Sequence, residues 1–358
     1  MNIKSLLLGS AAALLAVSGA RAADAVVVAE PEPMEYVRIC DVYGAGFYYI
    51  PGTETCLKIG GLVRYEIGWN DNDNGWNKTA LARLKFDARS ETEYGTFRRY
   101  IEFQASVGDN GGWVGDQDNA IWTGLNGEDG TALRHAYFEL GGLLVGHTDT
   151  LFDGDLSGEF DSGGGDRINQ IRYTFDAGNG ISVSASLEEE SNNFDYIPLV
   201  VGKVSIAQGW GSVDLFAAYD DAYSEVALKA IAKIKATDAI TLELLAGYES
   251  GPTYWSYNSQ YDGYEWSVGG YLKYQANEKL SVGFGGQYFA DRHVGGIAPG
   301  VITTPTYTEL GFNDWAIGAV VDYQIVENLD AKLAVNYEDG DSYSDGSFNG
   351  FLRLDASF

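Results

Sequence analysis

The residue types that most often carry out catalysis are scarce in this chain. Its 358 residues include 3 His and 2 Cys, and neither a Gly-x-Ser-x-Gly nor a His-Glu-x-x-His motif occurs. The spacing of His135, His147 and His293 does not indicate a catalytic triad, although triad members need not be close in sequence. The sequence therefore predicts no catalytic residue.

Two stretches resemble ligand-binding loops only in part. Residues 71–75 (Asp-Asn-Asp-Asn-Gly) begin like a calcium-binding loop, but the positions that need Gly and Glu hold Trp76 and Ala82. The glycines at 163–165 could cradle a phosphate, but no Lys follows them and no helix is indicated. We therefore expect no metal site and no cofactor.

The charge of the chain excludes one class of partner. Asp and Glu outnumber Lys and Arg by 51 to 23, which gives a formal net charge of -28. Nucleic acid phosphates would repel such a polyanion, so we expect no nucleic acid partner. Aromatic residues make up 13% of the chain, which also argues against an acidic disordered protein.

The first 22 residues predict export. Lys4 provides a positive start, residues 6–17 form an apolar stretch, and Ala-Arg-Ala at 20–22 matches a signal peptidase site. A membrane-spanning helix is the competing interpretation, but charges at positions 21 and 24 interrupt the apolar run before it reaches roughly 20 residues. We expect a signal peptide at 1–22, with cleavage before Ala23.

The two cysteines permit one intramolecular pairing. In an oxidising compartment Cys40 and Cys56 can form a disulfide bridge. The bridge would close the loop 41–55 and contribute about 3 kcal/mol in the chain-entropy model. Two free thiols are the alternative.

The elements that would position other side chains are strands of period two. No later apolar run approaches 18 residues, which excludes a helical membrane protein. Apolar residues instead alternate with polar ones within 57–69, 80–89, 181–188, 226–235, 266–275 and 314–324. Only residues 227–236, rich in Ala and Lys, would also suit a helix, and even they alternate. Repeated segments of about 10 alternating residues are typical of a transmembrane β-barrel.

The connections between these segments come in two sizes. Seven short polar turns separate eight mostly longer loops rich in Asp, Asn, Gly and Ser. Fifteen connections predict an all-β, antiparallel transmembrane barrel of about 16 strands, with short periplasmic turns and long external loops. Aromatic residues near strand ends would anchor at the membrane interfaces: Trp69, Tyr248, Trp266, Tyr274, Tyr288, Trp315, Tyr323 and Tyr337. A soluble sandwich with aromatics in its core is the alternative, although the predicted strands lack the Pro and Lys that protect soluble edges.

The last residue carries a more specific mark. Phe358 ends a predicted strand in which Phe348, Gly350, Leu352 and Leu354 share its face. A closing strand with a terminal aromatic resembles the signal read by the barrel-assembly machinery of Gram-negative outer membranes. We therefore expect that machinery as a partner.

The whole chain resembles the alphaproteobacterial porins. The most specific part is residues 35–57, EYVRICDVYGAGFYYIPGTETCL, and the similarity continues through the turn at 141–143 to the final Ser-Phe. The resemblance implies a homotrimer of general-diffusion porins in the outer membrane, surrounded by lipid and lipopolysaccharide, with one loop folded into each lumen. Residues 23–55 would form a periplasmic or barrel-mouth segment, and residues 56–358 the barrel.

The resemblance also implies where permeation is controlled. If the third loop, 148–166, folds inward, it brings these acids to a constriction: Asp149, Asp153, Asp155, Glu159, Asp161 and Asp166. Basic residues cluster on the lumen face of the early strands: Lys58, Arg64, Arg83, Lys85, Arg89, Arg98 and Arg134. Acid facing base would create a transverse field that favours small hydrophilic solutes and ions. The alternative is that these charges are merely solvated.

The predicted function is passive diffusion through a water-filled pore, and the excess of acid predicts mild cation preference. A substrate-specific channel and an outer-membrane barrel enzyme remain the alternatives.

Overall fold

The computed structural model describes residues 38–71, 75–108, 113–114, 121–122, 130–160, 164–189, 196–295 and 306–358. Sixteen long strands lie within these ranges: β1 Cys56–Asn70, β2 Asn77–Thr92, β3 Gly95–Gly108, β4 Gly130–Leu140, β5 Leu143–Asp149, β6 Arg167–Asp176, β7 Ile181–Glu189, β8 Leu199–Gln208, β9 Gly211–Asp220, β10 Glu225–Lys235, β11 Ile240–Glu249, β12 Asp262–Gln275, β13 Leu280–Val294, β14 Asp314–Val326, β15 Leu329–Gly340 and β16 Ser347–Ser357. The predicted signal peptide, 1–22, lies outside the described residues and stays a prediction.

The unit from Ile39 to Phe358 is a closed barrel. Each strand pairs antiparallel with the next, and β16 pairs with β1 through a register that places Asp355 opposite Arg64. Gly61 and Phe358 exchange two backbone hydrogen bonds of 3.1 Å at this seam. Closure leaves none of the sixteen long strands described here without a neighbour on either side, and it confirms the predicted 16-stranded barrel.

Short elements accompany the barrel. Two-residue strands at Tyr48–Tyr49, Trp113–Val114, Ile121–Trp122 and Thr308–Glu309 flank the long strands, and Asp41–Tyr43 form one 3-10 turn. No helix among the described residues is long and apolar enough to cross a membrane.

The two faces of the wall follow the predicted alternation. On β12, for example, Val268 is 55% exposed on the outer face while its neighbour Ser267 is 1% exposed on the lumen side. The outer face also carries ring contacts near the external ends of the strands, such as Tyr248 with Trp266 at 4.5 Å and Trp315 with Tyr337 at 5.5 Å. Apolar residues outward and polar residues inward are what a barrel in lipid requires.

The disulfide is formed. Cys40 and Cys56 are bonded with their Cα atoms 6.0 Å apart, and both are buried against Phe47. The prediction of a bridge is confirmed, and the alternative of two free thiols is wrong.

Candidate functional site

We call the connection between β5 and β6, residues 150–166, loop 3; its described residues, 150–160 and 164–166, line the inside of the barrel. Its first residues are fixed to Glu188, a fully buried lumen-side residue of β7. The Thr150 hydroxyl donates to that carboxylate at 2.5 Å, and the Leu151 backbone N–H donates to it at 2.8 Å. Hydrogen bonds to a charged acceptor are stronger than neutral ones, so this carboxylate fixes where the loop enters the lumen.

Two further anchors hold loop 3 across the wall. Ser157 donates its backbone N–H and its hydroxyl to the Glu243 carboxylate of β11, each at 2.7 Å. Glu159 accepts a hydrogen bond from Lys332 Nζ at 2.7 Å, and its carbonyl accepts one from Asn336 at 2.7 Å, both on β15. The loop therefore spans the lumen from β7 to β15.

Apolar packing fits loop 3 closely to the wall. Phe152 contacts the rings of Phe216 and Trp255, with centroids 5.8 and 5.6 Å apart. Phe160 lies over β13 and β14, where a Cβ atom added at Gly285 or Gly318 would come within 2.9 Å of its ring. Glycine at these two positions makes room for the loop, because any side chain there would push the ring away.

A second connection, residues 250–261 between β11 and β12, also folds inward. Trp255 is 1% exposed and donates its indole N–H to Thr150 at 3.0 Å. Thr253 and Ser256 donate their hydroxyls to Glu249, which also contacts His293 at 3.1 Å. From the sequence alone this stretch is one of the eight external loops, and its run of Thr-Tyr-Trp-Ser-Tyr is the signal that could have indicated an inward fold.

The predicted acids of loop 3 have different environments. Asp149 is the last residue of β5, and Asp149 and Asp153 line a recess of about 280 Å³ together with Arg172 and Lys203. Asp166 accepts a hydrogen bond from Gln260 at 2.9 Å. Glu159 is paired with a lysine as described above, and Asp161 lies outside the described residues.

Burial changes the chemistry of two of these acids. Desolvation raises the pKa of the Asp153 and Asp155 carboxyls, and the nearby positive charge of Lys229 opposes that shift. Lys229 is itself buried, with its Nζ 4.5 Å from the Phe152 ring centroid. These two carboxyls consequently take up protons at higher pH than ordinary aspartates do.

All seven predicted basic residues lie on the lumen side of β1–β4, and six of them form ion pairs with acids of the wall. Arg64 binds Asp355 through two nitrogens at 2.7 and 2.9 Å. Glu102 is 3.0 Å from Arg134, 3.7 Å from Lys85 and 3.9 Å from Arg83. Asp87 binds Arg89 at 2.7 Å and Arg98 at 3.1 Å. Lys58 donates to the backbone carbonyl of Ala45.

Sequence reasoning missed the bases nearest to loop 3. Lys332 pairs with Glu159, Lys233 lies 3.5 Å from Glu243, and Lys203 and Lys229 lie near Asp153. Lys229 and Lys233 already stood out on the polar face of an alternating segment, so alternation could have flagged them. It could not show that loop 3 would cross that segment.

Comparison with known proteins decides the family. The description "Porin subfamily" matches residues 24–353. Porin Omp2b of Brucella suis biovar 1 is 39% identical over 393 aligned residues, which cover all of both chains. The chain belongs to this porin family. This porin is therefore an outer-membrane, multi-pass β-barrel that forms a channel for passive diffusion, and the family is one of channels rather than enzymes.

Solved structures agree on the fold of the porin. The outer membrane channel DcaP of Acinetobacter baumannii superposes with a TM-score of 0.63 at 16% identity, covering 87% of this chain and 99% of that one. The trimer form of OmpT from Vibrio cholerae has a TM-score of 0.56 at 10% identity, covering 86% of this chain and all of that one.

Proposed function

We propose that the porin is a general-diffusion channel whose narrowest passage lies between loop 3 and the lumen wall of β1–β4. The observation that carries the proposal is the position of loop 3, which is anchored from β7 to β15 through Glu188, Glu243 and Lys332. These anchors lie on β7, β11 and β15, so we infer that the lumen sides of β1–β4 face the water that remains in the pore. That wall carries the seven predicted bases.

The proposed passage separates charge across its width. We assign Asp153, Asp155 and Glu159 to the loop side of this passage and the arginines of the early strands to the wall side. Such a field orients polar solutes and ordered water, so hydrophilic molecules enter more easily than apolar ones. Both sides are partly compensated, because the wall bases pair with Asp87, Glu102 and Asp355 and, on the loop, Glu159 pairs with Lys332. The chain has 51 acidic and 23 basic residues, so we infer a mild preference for cations.

Planar bilayer recording tests this function. We expect ohmic conductance that no single sugar or amino acid saturates, and a reversal potential in a salt gradient that indicates modest cation preference. Saturation by one solute would instead favour a substrate-specific channel, and clear chloride preference would contradict the proposed charge arrangement. Hydrolysis of phospholipid without conductance would favour a barrel enzyme.

We also propose that the porin works as a homotrimer in contact with outer-membrane lipid and lipopolysaccharide. The trimer form of the structurally similar OmpT supports this assembly. Insertion into bilayers should then produce conductance steps in groups of three. The exposed aromatic terminus at Phe358, on the closing strand, supports recognition by the barrel-assembly machinery. Removal of Phe358 should reduce assembly in cells, and unchanged assembly would argue against that role.

A further inference from the structure

Residues 39–55, which precede β1, fold back along the periplasmic end of the barrel wall; we call them the collar segment. Tyr48 and Tyr49 pair antiparallel with Leu57 and Cys56 at the start of β1. The bridge from Cys40 to Cys56 ties the beginning of the segment to the first residue of the same strand. The segment is therefore fixed at both of its ends.

The contacts of the collar segment are with lumen-side residues. Lys58 Nζ donates to the carbonyl of Ala45 at 3.2 Å. The Arg89 guanidinium lies over the rings of Tyr43 and Phe47, 5.8 and 5.1 Å from their centroids. Lys58 and Arg89 both project from the polar faces of their strands, which line the lumen. Tyr43, Ala45 and Phe47 consequently lie on the lumen side of the rim, while Tyr48 and Tyr49 continue the barrel wall beside β1.

One hydrogen bond fastens the segment to the second strand. The Tyr43 hydroxyl donates to Glu91 at 2.6 Å, next to the turn between β2 and β3. Burial and this hydrogen bond raise the pKa of Tyr43 to about 12, so the phenol remains a donor at physiological pH. Phe47 is 5% exposed and completes the packing around the bridge.

We propose that residues 39–55 form a disulfide-clamped collar that narrows the periplasmic end of the pore, as a second constriction separate from loop 3. The volume filled by these residues on the lumen side is closed to permeating solutes. The clamp matters because residues 41–55 would otherwise be attached to the barrel wall covalently at one end alone. The proposal rests on the channel function, and it concerns access from one side of the membrane.

Polymer exclusion measures each mouth of the pore separately. Polyethylene glycol that enters a pore lowers its conductance, and polymer that is too large leaves the conductance unchanged. Polymers of increasing size are added to one side of a bilayer at a time, with the full-length mature porin and with a variant that lacks residues 39–55 and carries Cys56→Ser. We expect the deletion to raise the size cut-off on one side and to leave the other side unchanged, because loop 3 still controls that side.

Two full-length variants complete the test. A double variant carrying Cys40→Ser and Cys56→Ser should raise the polymer size cut-off on the side that the deletion affects. The increase should be smaller than in the deletion, because the contacts of Tyr43 and Lys58 remain. Glu54→Gln, on the exposed turn of the segment, should leave both cut-offs unchanged. Heat-modifiable migration on gels confirms that each barrel has folded, and the double serine variant decides the question if the deletion does not assemble.

The outcomes are distinct. Cut-offs that stay the same on both sides in the deletion would overturn the collar, and cut-offs that rise equally on both sides would do so as well. A wild-type cut-off in the double serine variant would overturn the clamp. Absence of conductance in the unmodified porin would instead count against the channel function.

Discussion

Loop 3 should lose its fixed position when Glu243 is replaced by Ala. Glu243 is 3% exposed, and its carboxylate accepts two hydrogen bonds of 2.7 Å from Ser157. The substitution removes both acceptors and leaves the Ser157 N–H without its partner. Lys233, which lies 3.5 Å from the carboxylate, has a side chain that is 39% exposed and can be hydrated by lumen water.

The magnitude follows from the two lost hydrogen bonds. A hydrogen bond to a charged group contributes about 1.5–3 kcal/mol. Water in the lumen can replace part of each bond, so we take the lower value and expect the docked loop to lose about 3 kcal/mol. Because about 1.4 kcal/mol corresponds to a tenfold change in an equilibrium constant, the released population should rise on the order of 100-fold.

Single-channel recording measures this release directly. A loop that leaves its anchor changes the width of the passage, so we expect frequent conductance transitions that are rare in the unmodified porin. Ser157→Ala removes one of the two hydrogen bonds and should have an intermediate effect of about tenfold. If Glu243→Ala produced traces as quiet as those of the unmodified channel, Glu243 would not be an anchor of loop 3.

Three further predictions concern charge, pH and orientation. Glu159→Gln leaves Lys332 without its acidic partner on the loop and should lower the cation-to-anion permeability ratio, as read from reversal potentials. A unit charge about 8 Å from an ion in water contributes about 0.5 kcal/mol, which salt of about 0.1 M roughly halves; because the charge acts with opposite sign on cation and anion, the ratio should fall about twofold. An unchanged ratio would place Glu159 away from the passage. Burial raises the pKa values of Asp153 and Asp155, so these two residues should protonate before ordinary carboxyls as pH falls from neutrality. The cation preference of the unmodified porin should therefore decline at a higher pH than that of a double variant carrying Asp153→Asn and Asp155→Asn. Identical pH profiles for the two proteins would contradict this. Val268→Arg on the outer face should lower the free energy of unfolding of the barrel in lipid vesicles by about 2–4 kcal/mol. Lys273→Gln on the lumen face of the same strand should change it by less than about 0.5 kcal/mol. Urea titrations measure both effects, and equal effects would mean that the two faces are assigned wrongly.

The architecture of this porin could be predicted from its sequence because the information is local. Lipid contacts every second residue, so the alternation of Val268 with Ser267 records which way each side chain points. The length of each connection between two strands can also be read from a short stretch of sequence. The seven short turns and eight longer loops were therefore predictable. The pairing of Cys40 with Cys56 needed only the export prediction and the absence of another cysteine.

The partners within the lumen could not be predicted in the same way. Glu159 and Lys332 are far apart in the chain, and they meet because loop 3 folds inward and reaches the lumen side of β15. Alternation shows that Lys332 faces the lumen, but not which loop crosses it. The inward fold of residues 250–261 also depends on contacts between distant parts of the chain. Trp255 reaches Thr150 only because both connections turn toward the pore axis.

The anchors of loop 3 divide two tasks between different residue types. Carboxylates at Glu188 and Glu243 accept directional hydrogen bonds, so they determine which loop residue lies over which strand. Gly285 and Gly318 have no side chain, so they determine how closely the Phe160 ring can approach the wall. An altered carboxylate should therefore release the loop. A methyl group added at Gly318 would lie 2.9 Å from the Phe160 ring and 2.3 Å from the Asn336 amide oxygen, so it should displace both the ring and the amide that holds Glu159, moving the loop toward the pore axis. Conductance noise would report the first effect, and a smaller but steady conductance would report the second.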